Sequence, residues 1–299
     1  MDNTEFKKFL EIIDVKKPTE NKYRKWYNKI LKISKTDSIF KIDKNELIQL
    51  SKSVGSNSKI DVLSLITNIF SKLKPEEDLT LFKLNLTEWR NNRLEAQPEK
   101  NKKEISIISY EDLNNILKDG LRNLSPDNDK AKYIVCLYLL FNFNVRNQDL
   151  IIYYTNKKEL EKLSEKDKST KNFIFFDNNK LYFLRNNYKT NEIHGSKSHT
   201  ISNRFIKQYL KKNSGVELNK PIFINKTKTN YYNENDIQRL TNNIVNELLG
   251  VNDKPINQQI IYKIITDYFL KKNNHKKLKQ IAQNRGQNLT TQSKYYSTT

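Results

Sequence analysis

Apolar positions recur at helical spacing through the first third of the chain. In YRKWYNKILKI, Tyr23, Trp26, Tyr27, Ile30 and Leu31 share one face of a 3.6-residue helix. IDKNELIQLSKSV predicts a second helix, with Asp43 as N-cap and Glu46 three residues on. SKIDVLSLITNIFSKL and DLTLFKLNLTEWRNNRLEA predict two more. The stretch QPEKNKKE is polar, charged and contains proline, so it predicts a linker, with a surface loop inside one domain as the other reading. The expected organisation is an N-terminal extension (1–20), a helical domain (21–96), a linker (97–104) and a second domain (105–299).

The second part opens with SYEDLNNILKDGL, a helix that Ser109 and Asp112 would cap. The apolar run in AKYIVCLYLLFNFNVRNQDL is continuous, which predicts a helix buried on most sides. NFIFF, LYFLRNNYKT and SHTIS then alternate as strands, with Asp177-Asn178-Asn179 and Gly195 at the turns. They predict a three-stranded antiparallel sheet. The helix NRFIKQYLKK, an extended KPIFIN and helices near 234–249, 256–270 and 276–284 follow, with a short last helix carrying Tyr295 and Tyr296. The fold class is therefore mainly α with a small antiparallel β-sheet, an α+β architecture.

Charge adds a partner class. Lys and Arg number 54 against 34 Asp and Glu, a net charge of +20 spread over most of the chain. Such a field favours a polyanion, with nucleic acid first and acidic lipid second. A lysine- and asparagine-rich composition also follows from AT-rich codon usage. The single cysteine, Cys136, excludes a disulfide framework. The longest apolar run is far short of the ~20 residues a bilayer span needs, and MDNTEFKKFL has no signal-peptide core. The expectation is a soluble, intracellular protein with no membrane partner.

Four ordered pieces carry a resemblance. LYLLFNFNVRNQDL is a buried helix followed by Arg146 and an Asp-Leu. NNYKTNEIHG presents Lys189 on a sheet hairpin. INQQIIYKIITDYF is an amphipathic helix, and LKQIAQNRGQNLTTQSKYY ends on two tyrosines. Together they resemble the tyrosine recombinase (phage-type integrase) superfamily over about residues 105–297, with the first helical segment in the place of that family's core-binding domain. The pattern is similar to integrases of large DNA viruses, virophages and self-synthesising elements. For a virus-encoded chain this implies the host nucleus or a viral factory.

The resemblance implies site residues. Arg146 stands as the first catalytic arginine and Lys189 as the catalytic lysine. Gly286-Gln287 stands where Gly-His is usual, and the nine positions from Gln287 to Tyr296 match the family's spacing, which favours Tyr296 over Tyr295 as nucleophile. The third piece departs from the family, since no His-x-x-Arg occurs and the three histidines are His194, His199 and His275. The second arginine's place falls to Tyr262 or Lys263 with register. Ile260, Ile261, Ile264, Ile265, Tyr268 and Phe269 form one stripe, so Gln259 and Lys263 share the opposite face and Lys263 is the candidate cation. A lysine lacks the bidentate fork of an arginine.

The implied chemistry is cleavage and rejoining of double-stranded DNA through a 3′-phosphotyrosyl link. It needs no metal or cofactor and is carried out by a tetramer on DNA. Arg24, Lys25, Lys29 and Gln259 are candidate DNA contacts, and the two domains would clamp the duplex. Plainer roles exist for each residue. Arg146 could close its helix or pair with Asp149, Lys189 and Lys263 could be solvated lysines, and Gln287 a turn residue. Tyr296 could pack as a tail residue, and Trp26 and Tyr27 could be core. The competing functions are a recombinase-like DNA-binding protein without catalysis, a type IB topoisomerase and a generic basic helical protein, RNA binders included.

Overall fold

Val62, Leu63, Leu65, Ile66, Ile69 and Phe70 are all buried on one helix, and the first part of the chain is built around it. The computed structural model describes residues 4–15, 17–53, 58–188, 190–212, 217–225, 230–250, 256–296 and 298, and the chain divides into two compact units, Met1–Ala96 and Gln97–Thr299.

The first unit contains α1 (Thr4–Ile12), α2 (Lys17–Ser34), α3 (Lys44–Ser53), α4 (Lys59–Leu73) and α5 (Thr80–Glu95). The apolar face of α4 packs against the other four helices. Asp43 caps α3 by accepting from the Asn45 and Glu46 backbone N–H groups. The N-terminal stretch is not an extension outside the fold. Phe6 and Phe9 of α1 are buried in this core, and Phe6 stacks on Tyr27 at 4.7 Å. Two large aromatic rings supply enough apolar area to hold a nine-residue helix in place.

The second unit begins with α6 (Gln97–Ile105), α7 (Tyr110–Asn123) and α8 (Ala131–Phe143). The expected linker at 97–104 is thus a helix. Pro98 lies in its first turn, where a missing N–H leaves no bond unmade. Asn101 is fully buried and accepts from Gln97 Nε2 at 2.7 Å, and α6 packs on the C-terminal helices. Ser109 caps α7 by accepting from the Asp112 N–H. Nine residues of α8 are buried, Cys136 among them.

Next come β1 (Ile152–Asn156), α9 (Lys157–Lys162), α10 (Glu165–Thr170), β2 (Asn172–Asp177), β3 (Lys180–Arg185), α11 (Asn191–His194), β4 (Lys197–Ile201), α12 (Arg204–Lys212) and β5 (Lys220–Pro221). The architecture is mainly α with a small sheet, but the sheet is mixed and five-stranded, in the order β4-β3-β2-β1-β5. The three predicted strands pair antiparallel within it, with Asn178 and Asn179 at positive φ in the β2–β3 turn. β1 pairs in parallel with β2 and antiparallel with β5. The parallel pair depends on a crossover through α9 and α10, so no turn signal announces it. Four helices close the unit: α13 (Glu234–Leu249), α14 (Gln258–Lys271), α15 (His275–Arg285) and α16 (Leu289–Tyr296). Among the described residues no helix is long and apolar enough to cross a membrane.

Candidate active site

Arg146 sits just beyond the C-terminus of α8. Asn144 adopts the left-handed conformation there (φ 50°) and turns the chain out of the helix. The Arg146 N–H donates to Asp149 Oδ2 at 2.9 Å, and the Asp149 N–H donates back to the Arg146 carbonyl at 2.9 Å. This pairing involves the backbone of Arg146 and leaves its guanidinium out. The Asp149 carboxylate is instead held by Arg185, at the end of β3, at 2.5 Å. The same guanidinium donates to the Asn284 carbonyl at 2.9 Å. One buried arginine from the sheet therefore fixes both the Arg146 turn and the end of α15.

α15 ends on Arg285, and Gly286 caps it at φ 60°. A side chain there would be strained, and its Cβ would also run into the Thr190 hydroxyl. The turn delivers Gln287 toward α14 and α16. Tyr262 of α14 donates its hydroxyl to Gln287 Oε1 at 3.1 Å, and Gln287 Nε2 donates to the Tyr296 hydroxyl oxygen at 3.4 Å. The rings of Tyr262 and Tyr296 meet edge to face at 4.6 Å. The Arg285 guanidinium lies 3.8 Å above the Tyr262 ring centre. With its amide oxygen facing the guanidinium, the orientation that matches donors to acceptors, Gln258 accepts from Arg285 Nη1 at 2.6 Å and Nη2 at 3.3 Å.

These groups open on one polar cleft of about 430 Å³. Arg146, Arg285, Gln287 and Tyr296 line it with Asn147 and the amides of Gln238, Asn242, Asn257, Gln258 and Gln259. Burial pushes the Tyr262 hydroxyl up to about 12, opposed by Arg285. Burial also lowers Arg285, partly offset by Tyr262 and Tyr296, and Arg146 lowers it further. At the start of β4, Lys197 donates to the Gln283 carbonyl and lies 4.8 Å over the Tyr188 ring. Burial, then the charge of Arg185, lowers it to about 8.

Arg146, Gln287, Tyr296 and Gln259 thus share the cleft. Lys263 does not. Although it lies one turn from Gln259, its ammonium is buried against the Glu104 carboxylate of α6. The pattern along α14 placed Lys263 opposite the apolar stripe, but α6 covers that face, so the cation meets an acid rather than an open cleft. Lys189 lies outside the described residues, as does the side chain of Tyr295. In the first unit, Arg24 pairs with Glu20 at 3.1 Å, while exposed Lys25 and Lys29 lie over the half-buried Trp26 ring at 5.7 and 5.8 Å.

Sequence reasoning missed Arg285, which reads as an ordinary helix-ending cation before a glycine. The one available signal was its adjacency to Gly286-Gln287. No protein-family model, curated protein or solved structure matches the chain.

Proposed function

We propose that the chain is a DNA strand transferase of the tyrosine recombinase type, acting on double-stranded DNA as a homotetramer. One observation carries this reading. Gln287 donates to the Tyr296 hydroxyl within the same cleft that Arg146 lines, so a phenol oxygen and a guanidinium converge on one polar space. The net charge of +20 supports a polyanionic substrate.

In the proposed step the Tyr296 oxygen attacks the scissile phosphorus. The phosphorus–O5′ bond breaks, a 3′-phosphotyrosyl link forms, the phenol's proton passes to water, and the leaving 5′-oxygen takes one from the general acid. A 5′-hydroxyl from another strand later reverses the reaction, so the bond energy is conserved in the covalent link. Arg146 stabilises charge on the non-bridging oxygens, by about 2.7–4 kcal/mol if oxyanion-hole values transfer. The Gln287 amide donates to the phenol oxygen and favours the phenolate, though it cannot itself take the proton. Lys189 is the candidate acid for the leaving oxygen.

A nicked suicide duplex tests the reading on a denaturing gel. A covalent adduct with the wild-type protein that vanishes in Tyr296→Phe supports it. Salt-dependent duplex binding with no adduct favours a DNA-binding protein without catalysis. An adduct accompanied by relaxation of supercoiled plasmid, with no strand exchange between duplexes, favours a type IB topoisomerase.

A further inference from the structure

We infer that Arg285, standing on the Tyr262 ring, combines with Arg146 to form a phosphate-binding site, and that Arg285 supplies its second guanidinium. The inference rests on the proposed function only for the identity of the anion, a DNA phosphodiester beside Tyr296.

Arg285 is 4% exposed, and burying a cation is costly unless a counter-charge comes with it. Among the described residues no carboxylate lies within ion-pair distance of it. The neighbouring buried acid, Asp149, is bonded to Arg185 and to the Arg146 backbone. What surrounds Arg285 is a ring face and an amide oxygen, which are dipoles and carry no net charge. Its Nε is buried with no acceptor among the described residues.

Arg146 brings a second positive charge to the same cleft, and no acid appears among its described lining residues. Two guanidiniums sharing a polar cleft repel until an anion enters. A phosphate, with several acceptor oxygens and a full negative charge, matches that deficit and the forked donor geometry. Tyr262 acts here as a positioning residue. Its ring is the platform under Arg285, and its hydroxyl holds Gln287, which reaches Tyr296. α14 thus contributes the support for a cation rather than the cation itself, in keeping with Lys263 being committed to Glu104.

The test pairs two measurements on the full chain. The first is thermal melting with and without inorganic phosphate, compared at equal ionic strength with sodium chloride. The wild type should gain stability with phosphate. Arg285→Gln should lose that gain beyond the general salting-out effect, while melting no lower than the wild type in chloride, because the variant removes an uncompensated buried charge. Arg285→Lys should retain part of the gain. A wild type indifferent to phosphate, an Arg285→Gln variant that keeps the gain, or one that melts well below the wild type in chloride would overturn the inference. The last result would make Arg285 a structural cation. The second measurement is adduct formation on the nicked duplex, where Arg285→Gln should lose roughly 100- to 1,000-fold in rate. Equal rates in wild type and variant sink the inference and leave the proposed function standing. Phosphate protection that depends on Arg285 in a protein forming no adduct keeps the site and sinks the proposed function.

Discussion

Arg185 and Asp149 form an ion pair at 2.5 Å with side chains only 1% and 0% exposed, and it ties β3 to the turn that presents Arg146. Removing either partner leaves the other charge buried and alone. Asp149→Ala or Arg185→Ala should each destabilise the second unit by about 3–5 kcal/mol, read as a lower urea midpoint. Both should also lose adduct formation, Asp149→Ala by loosening the Arg146 turn and Arg185→Ala by releasing the Asn284 carbonyl as well.

Tyr296→Phe should separate chemistry from folding. Among the described residues the lost hydroxyl makes one long bond, 3.4 Å from Gln287, so stability should fall by no more than about 1.5 kcal/mol. Duplex affinity and its salt slope should be unchanged while the covalent adduct disappears. An adduct that survives Tyr296→Phe but not Tyr295→Phe would move the nucleophile by one residue.

Gly286→Ala should act through geometry. The residue has φ 60°, and its new Cβ would meet the Thr190 hydroxyl and Cβ. A cost of roughly 1–3 kcal/mol is expected, together with displacement of Gln287. Thr190→Ala/Gly286→Ala should recover the part due to the hydroxyl and retain the parts due to the Thr190 Cβ and the left-handed backbone, measured by chemical denaturation of the four proteins.

The Lys263–Glu104 pair makes Lys263 a test of where the cations act. Lys263→Met should cost about 1–3 kcal/mol of stability, with the rate of adduct formation per folded molecule unaltered. A double-mutant cycle with Glu104→Gln should show coupling between the two positions. A selective loss of rate with normal stability would return Lys263 to the reaction.

His199 gives the fold an acid-sensitive point. Its Nε2 is buried with no partner among the described residues, and its ring packs 4.7 Å from Phe143. Burial, then the charges of Arg185 and Lys197, lowers its pKa to about 4 from the usual 6.5. Between those values the unfolded chain binds a proton that the folded chain does not, so stability falls as pH drops from about 6.5 toward 4. Wild type should therefore lose more stability than His199→Phe between pH 7 and pH 5. Parallel losses in the two proteins would show that His199 takes up its proton equally in the folded and unfolded chain.

Local pattern by itself determined the helices with strong stripes, the α8 run, the Asn178-Asn179 hairpin, the caps at Asp43 and Ser109, and the mainly helical class. Each depends on neighbours a few residues away, which is why each could be read along the chain. Tertiary structure alone decided the rest. β1 joined the sheet through a parallel pairing across a crossover, and residues 97–104 became a helix because the C-terminal helices offered a surface to pack on. Lys263 was drawn to Glu104 from 159 positions away, and Arg285 was set on Tyr262 instead of in solvent. A side chain's charge is written in the sequence, whereas its counter-charge and its exposure depend on which distant element folds over it.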